Sequence, residues 1–237
     1  MQEHISEDAK DEIAASIVLD NSSIQLESNF EDSNISKWYL ILKRFIDIVG
    51  AIVGIIVLSP ILIIVAILIK IEDSKGSIFF SQKRVGQNGK EFKMYKFRSM
   101  VHNAEELKEN LLKQNERSGP MFKMKNDPRV TKVGKFIRKT SLDELPQLIN
   151  VLKGEMSLVG PRPSLPKEVE QFKPWMLKRL SVKPGLTCYW QVYGRNNIGF
   201  EDWMNLDIKY VEERSLIIDI KLIFKTVFVL LGDKSAS

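Results

Sequence analysis

The chain has 237 residues, one cysteine, two histidines and a net charge of +5. With Cys188 alone there is no intrachain disulfide, and His4 and His102 argue against a Ser-His-Asp triad or a His-rich zinc site. Carboxylates, lysines and arginines are left to carry any chemistry.

Residues 1–36 hold nine acidic residues against one lysine, a net charge of −8, so the remainder is net +13. A basic body of this kind suits anionic lipid headgroups or phosphorylated substrates. The acidic segment is Ser/Asn-rich and weakly periodic, and it reads as a disordered tail with one short helix at 11–19. It lacks the basic start and apolar core of a signal peptide.

Residues 37–72 read as a membrane element. Trp38 and Tyr39 are interfacial residue types, and Lys43 and Arg44 suit the headgroup layer. The run 49–69 carries no charge and is long enough to span a bilayer core. Basic residues flank both of its ends, and Ser59-Pro60 lies near its middle. Proline removes a backbone hydrogen bond, and serine can satisfy part of what is freed. Two paths stay open on these residues: a kinked single span, or a re-entrant helix-break-helix that enters and leaves on one face.

Residues 73–231 read as one cytosolic domain, followed by a tail at 232–237. Segments 77–82 and 90–97 are predicted strands around an Asn88-Gly89 turn, a β-hairpin. A surface helix is predicted over 103–117, a basic loop over 121–140, and a helix starting at Ser141 that ends near Gly154. A further helix is predicted over 164–180, divided at Pro174, then a strand at 186–192 and a helix at 200–213. The interrupted apolar stretch 217–231 suits a core helix or an amphipathic helix at the interface. The fold class is therefore α+β, mainly helical.

Ser141-x-x-Glu144 matches a capping box, which makes Ser141 and Glu144 helix-start residues and Asp143 a first-turn acid. The same carboxylates sit among Arg138, Lys139 and, across the next loop, Arg162. Paired carboxylates can hold a divalent ion, and a carboxylate can be a nucleophile in phosphoryl transfer. No GxxxxGK[ST] occurs, which excludes a Walker-type nucleotide site.

Several motifs then follow in order. They are Lys43-Arg44-x-x-Asp47, Ser59-Pro60, Gln82-Lys83-Arg84-Val85-Gly86 and Tyr95-Lys96-Phe97-Arg98-Ser99-Met100. Next come Arg138 with Ser141-Leu142-Asp143-Glu144-Leu145-Pro146-Gln147-Leu148, and Gly160-Pro161-Arg162-Pro163. Lys183-Pro184-Gly185, Gly194-Arg195-Asn196 and Asp219 close the series. Together they resemble the bacterial sugar transferases of the monotopic phosphoglycosyl transferase type, over about 43–231. One departure stands out: 188–193 reads CYWQVY, where the family commonly has Gly-Trp-Ala-Gln-Val-Asn.

The resemblance implies transfer of a sugar 1-phosphate from a UDP-sugar to polyprenyl (undecaprenyl) phosphate, with release of UMP. This is the first membrane step of a surface polysaccharide or glycoconjugate pathway. It implies Asp143 as the nucleophile that forms a phosphosugar–aspartyl intermediate, and Glu144 as its partner and ligand to Mg²⁺. Arg138, Arg162 and Arg195 would bind substrate phosphate, with Asp219 in support. It also implies a re-entrant helix broken at Ser59-Pro60 and residence on the cytoplasmic face of a bacterial inner membrane. Expected partners are an anionic bilayer, later glycosyltransferases of the pathway and a second copy of the chain in a homo-oligomer; nucleic acid is not among them. An inactive membrane-anchored scaffold, or a membrane-surface phosphohydrolase with the same dyad, are the alternatives the residues leave open.

Overall fold

The computed structural model describes residues 35–111, 124, 127–193 and 198–232. The acidic segment up to residue 34 and its helix at 11–19 lie outside them, as do Arg195 and the tail at 233–237.

The longest element is α1, Lys37–Glu72, a single helix assigned without interruption through Pro60. At about 1.5 Å per residue it is roughly 54 Å long. The expected break into two helices is corrected to that extent, and the reason is local. Pro60 cannot donate to the carbonyl four residues back, Ile56, and Ser59 Oγ donates to that oxygen instead at 2.7 Å.

One stripe of α1 packs on the body of the protein. Ala51 and Ile55 join Phe92, Met94, Leu148 and Val151, while Leu62, Val65 and Ile69 join Phe97, Ile137 and Leu142. The remaining faces expose a continuous apolar surface that includes Ile52, Ile56, Ile63 and Ile67. Gly54 lets the backbone come close: a Cβ there would lie 3.2 Å from Leu148 Cδ1.

Both ends of α1 are bonded to the same body. Near the start, Arg44 donates to the carbonyls of Val151 and Leu152 at 2.6 and 2.8 Å. Lys43 meets Asp219 at 2.9 Å, and buried Asp47 accepts from Ser157 Oγ and the Leu158 amide, both at 2.9 Å. At the far end, Glu72 accepts from the Lys132 and Val133 amides at 2.7 and 2.9 Å. Asp73, just beyond, binds Arg98 at 2.8 Å. Lys43 and Arg44 are therefore turned inward, where the sequence placed them in the headgroup layer; orphan carbonyls and a buried carboxylate recruit them.

The hairpin is present as β1, Phe79–Val85, antiparallel to β2, Glu91–Phe97. Asn88 and Gly89 take the positive φ values that the turn demands. Helix α2, Ala104–Leu111, covers the first half of the predicted 103–117; the rest lies outside the described residues. The basic segment read as a loop contains a helix, α3, Lys132–Lys139. It is capped by Thr131 Oγ1, which accepts from Gly134 N at 2.9 Å.

The helix predicted from Ser141 starts later. Leu142–Glu144 is a 3-10 turn, and α4 runs Gln147–Lys153, closed by Gly154 at φ 82°. A short parallel pair, β3 (Ser157–Val159) and β4 (Gly185–Thr187), ties the next segments. Between them lie α5, Pro166–Val169, and a 3-10 helix, Pro174–Ser181, the predicted division at Pro174. Beyond β4 the predicted strand is instead a helix, α6, Tyr189–Tyr193. Helix α7, Phe200–Glu213, matches its prediction, and α8, Leu216–Gly232, ends the fold. Buried Leu222 packs α8 on the core, while Ile217, Ile220, Phe224 and Phe228 stand exposed, so α8 has both a core face and an apolar outer face.

One buried ion pair fastens the loop after β3. Arg179 and Asp207 are 1% and 0% exposed and lie 2.6 Å apart. Arg179 also donates to the Arg162 carbonyl at 2.6 Å and to Ser164 Oγ. Arg179→Met would leave a buried carboxylate uncompensated, at a cost of about 3–5 kcal/mol. The expected outcome is a large fall in thermal midpoint, measured by unfolding in detergent.

Candidate active site

Helix α3 ends at Lys139, and Ser141 follows at φ 56°, a left-handed conformation unusual for a residue with a side chain. That turn places Asp143 and Glu144 on the 3-10 turn between α3 and α4. The capping box is not formed. Ser141 makes no side-chain cap, and Glu144 sends its carboxylate to Lys96 Nζ at 2.7 Å. Non-glycine residues in this region of φ and ψ collect at functional sites, since the strain must be held by the surroundings.

The two carboxylates sit in opposite electrostatic settings. Asp143 is 9% exposed. No side chain among the described residues donates a hydrogen bond to it; its own backbone amide does. Burial, reinforced by the charge of Glu144, pushes its carboxyl up to about 6, against the pull of Lys96 and Arg138. Glu144 is also pushed upward by burial, but Lys96, Arg162 and Arg84 outweigh that and hold it down to about 2. Its side chain keeps 29% exposure, with Oε1 held between Lys96 at 2.7 Å and Arg162 at 3.7 Å.

The cations come from four elements. Lys96 is on β2, on the inward face that also carries Phe92 and Met94. Arg84 is on β1, buried, donating to the Pro163 carbonyl at 3.0 Å and Gln82 Oε1 at 2.8 Å. Its Nε is buried without a partner among the described residues. Burial and the charge of Arg162 push it down to about 10. Arg162, in the loop after β3, leans over the Trp190 ring with 5.8 Å to the centroid. Arg138, in the last turn of α3, donates Nε to Ser99 Oγ at 2.8 Å and acts on Asp143 through its charge. Gly134 sets that distance: a Cβ there would fall 1.9 Å from the Ser99 carbonyl oxygen.

Of the residues singled out in the sequence, Asp143, Glu144, Arg138 and Arg162 come together. Arg195 lies outside the described residues. Asp219 is brought elsewhere. It is 3% exposed and binds Lys43, Tyr39 and Tyr210 at 2.9, 3.1 and 2.7 Å, joining α1, α7 and α8. Lys96 and Arg84 were not assigned a role from the sequence. A lysine on the apolar face of a strand was the available signal for the first; the second has none beyond its place in Gln82–Gly86.

A small pocket opens beside the dyad, lined by Lys96, Glu144, Gln147, Arg162, Leu186 and Gln191 among others. Among the described residues no group of three or more His, Cys, Asp or Glu converges as a metal centre. The dyad alone fits Mg²⁺, which takes one or two carboxylates and fills its other positions with water and substrate phosphate oxygens. Glu144 Oε2 and the Asp143 carboxylate are the oxygens that no side chain occupies.

The comparisons point the same way as the motifs. The model of the bacterial sugar transferase family matches residues 38–233. The chain is 52% identical over 196 residues to the galactosyl transferase CpsE of Streptococcus agalactiae, covering 81% of this chain and 43% of the relative. It is 46% identical over 194 residues to the undecaprenyl-phosphate galactose phosphotransferase of Salmonella typhimurium, covering 80% and 40%. It is 41% identical over 189 residues to the exopolysaccharide production protein ExoY of Rhizobium meliloti, covering 78% and 83%. The chain thus spans about two fifths of the first two relatives and most of the third.

Lys96→Met would leave Glu144 with Arg162 as its nearest cation. The Glu144 carboxyl is then expected to titrate upward from about 2, read by carbon NMR of labelled glutamate across the acid range.

Proposed function

The chain belongs to the bacterial sugar transferase family, and we propose that it transfers a sugar 1-phosphate from a UDP-sugar to a polyprenyl phosphate at a membrane surface. The observation that carries this reading is the split dyad: adjacent carboxylates, Glu144 clamped between Lys96 and Arg162, and Asp143 buried with no side-chain donor among the described residues, which raises its basicity. A nucleophilic carboxylate gains from raised basicity, provided it remains ionised at working pH.

Asp143 attacks the sugar-bearing phosphorus of the UDP-sugar. The new bond joins a carboxylate oxygen to that phosphorus, and the bond to the UMP oxygen breaks. A polyprenyl phosphate oxygen then attacks the same phosphorus and expels the Asp143 carboxylate, giving polyprenyl diphosphate sugar. Lys96 and Arg162 keep Glu144 ionised, and Arg138 and Arg162 face the phosphate charge from two sides. Mg²⁺ held by Glu144 would offset the diphosphate charge. Gln191 lines the small pocket beside Glu144, so the stretch 188–193, where this chain departs from the common family pattern, reaches the site and is our candidate for contact with the donor.

The test is UMP release with polyprenyl phosphate, Mg²⁺ and a panel of UDP-sugars. Release with a matching sugar supports the reading; free sugar phosphate without acceptor points to hydrolysis; none with any donor points to a scaffold. Asp143→Asn is expected to abolish turnover, since an amide is a poor nucleophile. Burial raises the Asp143 carboxyl to about 6 in the free chain, so turnover is expected to fall on the acid side as Asp143 takes up its proton, about tenfold per pH unit once it is mostly protonated. Since Mg²⁺ beside Glu144 would favour ionised Asp143 and move this limb to lower pH, the deciding result is Asp143→Asn: near-parent turnover there removes Asp143 from the nucleophile's role.

The path of α1 is part of the same proposal. Its two ends and its middle are packed on one body, which favours entry and exit on one face, the cytoplasmic one, where UDP-sugars are found. A cysteine placed within residues 5–30 is expected to resist membrane-impermeant reagents in intact cells. Labelling there overturns this topology.

A further inference from the structure

A cavity of about 300 Å³ lies between the first turns of α1 and the segment after the 3-10 helix, lined by Tyr39, Leu40, Arg44, Asp47 and Lys183 among others. It is separate from the dyad; neither Asp143, Glu144, Lys96 nor Arg162 lines it.

Its charged wall holds Lys43, Arg44, Lys183 and Arg214 against the single carboxylate of Asp47. A Cβ built on Gly154, at the edge of a neighbouring cavity, would lie 3.5 Å from Arg44 Nη2 and 3.6 Å from Lys183 Nζ, so the two cations are neighbours where the cavities adjoin. Arg44 is spent on the Val151 and Leu152 carbonyls. Lys183 Nζ has no hydrogen-bond acceptor among the described residues. Asp47 is the opposing charge that acts on it, yet Asp47 Oδ1 already accepts from Ser157 and Leu158. Burial, then the charge of Arg44, push the Lys183 ammonium below the usual lysine range. On its other side Lys183 lines a second cavity of about 290 Å³, where Lys90 and Lys153 are balanced by Glu91 and Glu155, so the unbalanced face of Lys183 is the one toward the first cavity. The Lys183 ammonium thus feels Asp47 at a distance but has no hydrogen-bonded acceptor among the described residues, and its partly buried setting strengthens the bond to an anion that reaches it.

The opening decides what kind of anion. Leu40 lines the cavity and is 53% exposed, and Ile35 and Val182 add apolar surface to the same lining. A ligand for this place needs an anionic head for Lys183 and an apolar part for the rim. A phosphodiester headgroup carrying acyl chains has both. Inorganic phosphate has only the first.

We propose that this cavity binds the phosphate of an anionic phospholipid headgroup, with Lys183 Nζ as its principal donor and Leu40 against the acyl chain. The ligand supplies the hydrogen-bond acceptor that Lys183 Nζ lacks among the described residues and fixes the start of α1 at headgroup level, apart from the apolar run. Because the dyad plays no part, the test stands independently of the sugar-transfer reading.

The full chain, purified in neutral detergent, is titrated with phosphatidylglycerol, phosphatidylcholine of the same chains, or inorganic phosphate, and bound lipid is counted by native mass spectrometry. Saturable binding of phosphatidylglycerol is expected, about tenfold weaker in Lys183→Gln and retained in Lys183→Arg. Unchanged binding in Lys183→Gln overturns the site. Inorganic phosphate that displaces phosphatidylglycerol at equal concentration overturns the lipid as its source. Equal binding of phosphatidylcholine overturns the preference for net negative charge. Thermal midpoints of each variant separate a lost contact from a lost fold.

Discussion

From opposite ends of α1, Glu72 and Arg44 satisfy the outer ends of the two helices between which the dyad turn is strung. The first amides of a helix and its last carbonyls have no partner inside the helix. Glu72 meets the first amides of α3, and Arg44 meets the last carbonyls of α4, each with the favourable sign for that end. The inner ends of α3 and α4 face each other across Ser141–Pro146, where Asp143 and Glu144 stand. Leu142 and Leu148 then anchor the two sides of that turn to the middle of α1, near Leu62 and Gly54. A helix that looks from its composition like a simple anchor is thus the frame that fixes the carboxylates in space.

That frame makes chemical asymmetry out of two neighbouring acids. In the unfolded chain Asp143 and Glu144 are ordinary carboxylates one residue apart. Folding brings Lys96 from β2, Arg84 from β1 and Arg162 from the loop after β3 to one of them, and leaves the other buried beside a fixed negative charge. Environments that push two titratable groups apart are how one site acquires two roles. The buried Arg179–Asp207 pair belongs to the same arrangement, because it holds the Arg162 backbone and so the reach of that guanidinium toward Glu144.

Much of this was legible in the chain, and the parts that were not share a cause. The apolar run, the Asn88-Gly89 hairpin and the helix at 200–213 carry strong local signals, and they stand where those signals put them. Helix α3 was hidden because its eight residues include four cations and a glycine, which read as a loop; its stability comes from Thr131, from Glu72 sixty residues earlier and from Ile137 in the core. The capping-box pattern at Ser141 was locally correct chemistry overridden by Lys96, a partner no short-range rule could supply. Lys43 and Arg44 show the same limit. Their types suit a headgroup layer, but a buried aspartate and two orphan carbonyls outcompete lipid phosphate for them. The arginines near the dyad were legible as a group, whereas their division of labour between Asp143 and Glu144 required the fold.

The packing of α1 also bears on where chemistry can take place. The turn that carries the charges of Asp143 and Glu144 is packed, through Leu142 and Leu148, near the middle of α1. Were α1 to cross a bilayer, those charges would lie at hydrocarbon depth, which is costly for ionised groups. With the body on one side of the lipid, the exposed faces of α1 and α8 can meet apolar chains while the charged site stays at the boundary. On the proposed reading that boundary is also where a polyprenyl phosphate presents its phosphate, its chain held in the same layer as the outer face of α1. The depth of Asp143 is then fixed by Leu142 and Leu148 on α1, so the element that enters the lipid also sets the height of the attacking oxygen.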